Sequence, residues 1–98
     1  MSKVMIVTGG GRGIGAAISR GAGARGYSVA VNYTQAKGRA EEVVSDIEKA
    51  GGRAIAVQAD MGCEDDVIRM LDVVDQELGT VSAIVNNAAT DYVTMIKD

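Results

Sequence analysis

Eight consecutive residues, Thr8-Gly9-Gly10-Gly11-Arg12-Gly13-Ile14-Gly15, hold five glycines and one arginine. A glycine-rich stretch can bring unhindered backbone N–H groups to a ligand, and at the opening of a helix the aligned peptide dipoles add positive potential. The chemistry that suits such a stretch is the holding of a phosphate or diphosphate. A side chain at Gly13 or Gly15 would separate backbone from phosphate or helix from strand, and a Cβ at Gly9 would oppose the required turn. Two registers compete for the dinucleotide fingerprint, one on Gly9, Gly13 and Gly15 and one on Gly11-x-Gly13-x-x-Ala16, and both lead to the same ligand class. No Lys-Ser or Lys-Thr follows the glycines, so a triphosphate-hydrolysing loop loses most of its support.

A second set of polar residues, Asn32-Tyr33-Thr34, follows the apolar run 28–31. A site for NAD would normally place Asp or Glu there to bond the ribose 2′-hydroxyl, and a carboxylate would repel a 2′-phosphate. Its absence favours NADP over NAD, with Arg12 in the turn and Lys37 just beyond as cations able to make charge-assisted bonds to that phosphate. The alternative is that Arg12 is a solvated loop arginine and Asn32 a strand-end turn former.

These residues need elements to position them, and the hydrophobic pattern supplies a repeating set. Val4-Met5-Ile6-Val7 is an unalternating apolar run stopped by glycine, suited to a strand buried on both faces of a parallel sheet. Ile14, Ala17 and Ile18 then fall at helical spacing up to Arg25-Gly26. Gly21 and Gly23 interrupt this helix at about 1 kcal/mol each relative to Ala, so its second half must be tightly packed against a strand or loosely formed. Strand-like segments return at 28–32, 54–57 and 83–85, separated by helical faces on Ala40, Val43, Val44 and Ile47 and on Val67, Ile68, Leu71, Val74 and Leu78. Strand and helix alternating in this way are the mark of βαβ units. The expected fold is α/β, Rossmann-like, with four parallel strands in the order 3-2-1-4 and three helices. Residues 1–90 form the binding half-domain, and 91–98 an irregular tail or the start of a truncated helix.

Composition narrows the function classes. Ninety-eight residues make one domain or part of one, and a core with three Tyr and neither Phe nor Trp is aliphatic. A net charge of −3 argues against nucleic acid and anionic membrane as partners. One cysteine, Cys63, and no histidine leave neither an internal disulfide nor a metal cluster, which suits a reducing cytoplasm. The apolar stretch after Met1-Ser2-Lys3 is too short for a signal or a membrane span.

The chain resembles the short-chain dehydrogenase/reductase family, particularly its ketoacyl carrier-protein reductase-like members. The resemblance rests on Thr8-Gly-x-x-x-Gly-x-Gly15, on Asp60 after the third strand and on Asn86-Asn87-Ala88 after the fourth, and it spans about residues 3 to 90. It implies that Gly9, Gly11, Arg12, Gly13, Ile14 and Gly15 surround the phosphates and that Asn32, Tyr33 and Thr34 surround the adenosine ribose. It further implies that Asp60 and Met61 meet the adenine, that Asn87, Ala88 and Ala89 border the ribose, and that Asn86 braces the strands. Ala89 departs from the family's Asn-Asn-Ala-Gly and adds a Cβ where backbone runs close to the cofactor.

The family's catalytic Ser, Tyr and Lys lie beyond residue 98 in such proteins. Tyr92 and Lys97 are five apart rather than four and follow the fourth strand too closely to be that pair. The expectation is therefore an NADP-dependent oxidoreductase acting on alcohol or carbonyl groups, represented by its cofactor-binding part, with no catalytic residue in this chain and no activity alone. A non-catalytic NADP-binding module and an S-adenosylmethionine-dependent methyltransferase are the competing readings, the latter disfavoured by the missing acid after strand two. With a sheet edge and helix faces left without neighbours, such a chain should expose apolar surface and self-associate.

Overall fold

The computed structural model describes residues 3–87 and the backbone of 92–95. Strand β1 (Lys3–Thr8) leads through the glycines into helix α1 (Gly13–Ala24). Strand β2 (Tyr27–Tyr33) is followed by helix α2 (Lys37–Lys49), and strand β3 (Arg53–Gln58) by helix α3 (Glu64–Glu77). Strand β4 (Val81–Asn86) and a short strand β5 (Tyr92–Met95) complete the order.

The sheet runs β3-β2-β1-β4-β5. Its first four strands are parallel and take the 3-2-1-4 order expected from the βαβ repeat. The chain thus turns back on itself at β1, with β2 on one side and β4 on the other. In doubly wound sheets ligands bind beyond the carboxyl ends of the strands where the order reverses, which here are β1 and β4.

Strand β5 differs from expectation. Segment 91–98 was expected to be irregular or to begin a helix, yet Tyr92–Met95 pairs antiparallel with β4, Val85 opposite Val93 and Asn86 opposite Tyr92. The physical reason lies in both partners. Tyr-Val-Thr is rich in aromatic and β-branched residues, and β4 would otherwise present a row of unpaired backbone groups. The edge expected to be open is closed over residues 83–86.

Alternation along β1 builds a core on each face of the sheet. Val7 packs with Val29, Val31 and Val85 under Ala16 and Ala22 of α1 and Ala40, Val43 and Ile47 of α2. Val4 and Ile6 point the other way and meet Ala30, Val57, and Met70 and Val74 of α3. Helix α1 runs unbroken through both of its interior glycines. Gly23 is where α2 comes close, since a Cβ there would stand 2.8 Å from Ile47 Cγ2, whereas Gly21 has open space beside it. That end of α1 is tightly packed, with Gly23 against a helix and Ala22 against the strands.

Ile6 is fully buried at the middle of the central strand. Ile6→Val should cost about 1 kcal/mol and Ile6→Ala about 3 to 4 kcal/mol, enough to remove most of the stability of a domain this small. Urea unfolding followed by far-UV circular dichroism checks this through the midpoint, with an unchanged slope.

Candidate functional site

The turn between β1 and α1 is shaped by backbone contact. Gly9 and Gly13 adopt φ of +60° and +48°, in the left-handed region that L side chains rarely enter. A Cβ on Gly15 would collide with the Gly9 carbonyl oxygen and lie 2.8 Å from Asn87 Nδ2. Gly11 presses on the first turn of α2, where a Cβ would be 2.9 Å from the Ala40 nitrogen. The glycines therefore fold the turn back onto α1 and α2 at once, with no room for side chains between them.

Side chains from three strands hold this turn. Thr8 Oγ1 is 3.2 Å from the Val85 carbonyl and 3.3 Å from Asn86 Oδ1, so Asn86 braces β1 against β4. Asn87 Nδ2 donates to the Gly9 carbonyl at 3.4 Å. Asn32 lies under the turn: its Oδ1 accepts from Gly9 N–H at 3.3 Å and its main-chain carbonyl from Gly10 N–H at 3.0 Å. Ser19, one turn beyond Gly15 on α1, donates from its buried hydroxyl to Gly15 O at 2.9 Å and stands 3.3 Å from Gly10 O.

Above the turn is a cleft of about 420 Å³, lined by Gly9, Gly11 and Arg12 on one side and by Asn32, Tyr33, Thr34, Gln35 and Ala36 on the other. Two helices open towards it. Neither α1 nor α2 has a side-chain cap hydrogen bond or an acidic residue in its first turn, whereas α3 carries Glu64, Asp65 and Asp66 there. Uncapped N–H groups and unneutralised dipoles at α1 and α2, beside the Arg12 guanidinium, give the cleft the electrostatics of an anion site.

The structure brings together much of what the sequence suggested. Gly9, Gly11, Arg12, Asn32, Tyr33 and Thr34 share one cleft, and Gly13, Ile14 and Gly15 open α1 beside it. Ile14 stands 64% exposed at that opening. Asp60 and Met61 lie just past the end of β3, where Asp60 Oδ1 accepts from Gly62 N–H at 2.9 Å and Asp60 N–H donates to Asp66 Oδ2 at 2.9 Å. Ala88, Ala89 and Lys97 lie outside the described residues, and Tyr92 is on β5. Sequence reasoning missed Ser19, Gln35 and Ala36. Ser19 left a signal, a hydroxyl on the apolar face of α1 four residues after Gly15 and able to bond back to its carbonyl. Among the described residues there is no grouping of His, Cys, Asp and Glu that could hold a metal, and no helix long and apolar enough to cross a membrane.

A family model described as short chain dehydrogenase matches residues 3–98. The chain belongs to the short-chain dehydrogenase/reductase family. This is a family of oxidoreductases that bind nicotinamide dinucleotides, and membership decides against the methyltransferase reading. A short-chain dehydrogenase/reductase homolog of Bacillus subtilis, YusS, is 47% identical over 89 residues, which are 91% of this chain and 82% of that protein. Versicolorin reductase of Emericella nidulans is 42% identical over 96 residues, 98% of this chain and 36% of that protein. The crystal structure of the angucycline C-6 ketoreductase LanV with bound NADP is similar to this chain with a TM-score of 0.79 and 37% identity, over 92% of this chain and 39% of that one. The chain thus spans most of the length of YusS but little more than a third of the two reductases.

Two glycines of α1 separate site packing from helix propensity. Gly21→Ala, with nothing within 4 Å of the added Cβ, should raise stability by about 0.5 to 1 kcal/mol, while Gly15→Ala, forced against the Gly9 carbonyl, should lower it by more than that. Thermal unfolding of the two variants side by side checks the opposite signs.

Proposed function

We propose that this chain is the cofactor-binding part of an NADP(H)-dependent oxidoreductase that interconverts alcohol and carbonyl groups. The observation that carries the cofactor assignment is the cleft between Arg12 and the Thr34–Ala36 turn, bordered by two uncapped helix openings and without a carboxylate among its lining residues. In this reading backbone amides at Gly13, Ile14 and Gly15 hold the diphosphate. Arg12 and the first turn of α2 take the 2′-phosphate, beside Tyr33 and Thr34. An acidic lining would repel that phosphate, and this one does not.

The residues fit such a group. The amides of Gly13, Ile14 and Gly15 lie at an uncapped helix opening beside the cleft, and the positive potential there matches the negative charge of a diphosphate. When bound, the nicotinamide ring supplies or accepts the hydride. The chain's own residues bind and orient: Asp60 and Met61 would hold the adenine with a carboxylate and a backbone N–H, and Asn87, Ala88 and Ala89 would border the ribose. No residue of this chain is assigned to proton transfer, so the 98 residues alone should bind without turnover. A binding module that carries NADP without chemistry gives the same expectation for this chain. The lone Cys63 fits a cytoplasmic setting, and self-association would proceed through apolar side chains such as exposed Ile68.

Isothermal titration calorimetry tests the cofactor assignment. NADPH should bind at least about tenfold more tightly than NADH, and Arg12→Ala should weaken NADPH about tenfold or more while changing NADH far less, as expected for loss of a charge-assisted hydrogen bond. NADH affinity equal to or above that of NADPH would reject the assignment. Loss of reductase activity in Tyr92→Phe, should this chain show any, would reject the absence of catalytic residues.

A further inference from the structure

We infer that Asn32 is the positioning residue of the nucleotide site, an internal bracket that fixes the glycine turn to the end of β3 rather than a contact to the ribose. The inference rests on the dinucleotide reading of the cleft. Asn32 is 2% exposed although it borders that cleft. Its carboxamide bonds inward: Oδ1 accepts from Gly9 N–H at 3.3 Å, and Nδ2 donates to the Val57 carbonyl at 3.3 Å and the Ala59 carbonyl at 3.2 Å. Both donors of the group are thereby engaged, as is its oxygen. The main chain of the same residue accepts from Gly10 N–H at 3.0 Å, so two successive amides of the turn end on residue 32.

The bracket dictates the residue type. Aspartate has the acceptor for Gly9 but would turn a carboxylate towards two carbonyl oxygens, and glutamine is longer by a methylene in a space already closed. The missing acid at position 32 therefore has a structural cause. The residues of this strand end left to meet a ribose or its 2′-phosphate are Tyr33, half-buried, and Thr34, exposed.

What the bracket positions is a distance. The turn opens α1 at one end of the site, and Val57 and Ala59 lead directly to Asp60 and Met61 at the other. A dinucleotide engages both ends at once, so its affinity depends on their separation, whereas that of adenosine, which carries no phosphate to reach Arg12 or the turn, does not.

The test compares NADPH with adenosine by calorimetry on the wild-type chain, on Asn32→Asp and, where that variant does not fold, on Asn32→Ser. Circular dichroism verifies folding. The expected result is a loss of about tenfold or more for NADPH against less than about threefold for adenosine. Equal losses for the two ligands would indicate a direct contact at the adenosine end, and unchanged affinities with only a lowered melting temperature would indicate plain structural support; either overturns the inference while leaving wild-type NADPH binding, and so the dinucleotide reading, in place. Absence of wild-type NADPH binding overturns both. In the free wild-type chain, NMR should show the Asn32 carboxamide protons exchanging slowly with solvent, and exchange at the rate of an exposed asparagine overturns the bracket itself.

Discussion

One steric fact governs this molecule: the peptide of Gly9 and the α-carbon of Gly15 touch without space for a methyl group between them. That contact brings the start of α1 back over the end of β1, so that the helix opens beside the strand that feeds it. A helix entering at a greater distance would still pack on the sheet, but its free amides would point into solvent instead of towards the cleft that Arg12 and Thr34 border. Gly11 sets a second approach of the same kind against α2. The meeting of two uncapped helix openings follows from backbone packing, and the positive potential follows from that meeting.

Polar side chains hold what the glycines shape. Thr8, Ser19, Asn32 and Asn87 each bond to main-chain atoms of the turn or of the strand ends that border it. None of these hydrogen bonds is strong alone, at about 1 kcal/mol net. Their value is in satisfying carbonyl and amide groups that the tight turn withdraws from water, where an unpartnered group would cost more than a bond returns. Among the described residues every buried side-chain nitrogen and oxygen has a partner.

The fold was legible because each of its signals is local and repeated. Apolar runs such as Val4–Val7, stopped by glycine and followed by a 3.6-residue period, specify strand and helix without knowledge of the rest, and their alternation forces a parallel sheet. Strand β5 was not legible, since four residues of Tyr-Val-Thr-Met carry no period and acquire one only from the edge they join. For the site, glycine spacing located the turn and the arginine beside it. The inward course of the Asn32 side chain could not be read, because an asparagine at a strand end looks the same whether it faces a ligand or two carbonyls 25 and 27 residues away in sequence. For Ser19 the bond back to Gly15 was readable from its place in the helix, and its approach to Gly10 across the turn was not.

The ladder between β1 and β4 is uneven along its length. It slips by one residue between Val4 and Met5, so that Ser82 has no partner in register, and then runs regularly to Thr8 opposite Asn86. At that far end two neighbouring asparagines engage two neighbouring residues, Asn86 with Thr8 and Asn87 with Gly9. Such an arrangement behaves as a latch at one end and slack at the other. The slip confines the irregularity to the amino-terminal rim. The carboxyl end keeps its alignment, because shifting either strand there by a single position would unfasten both asparagines together.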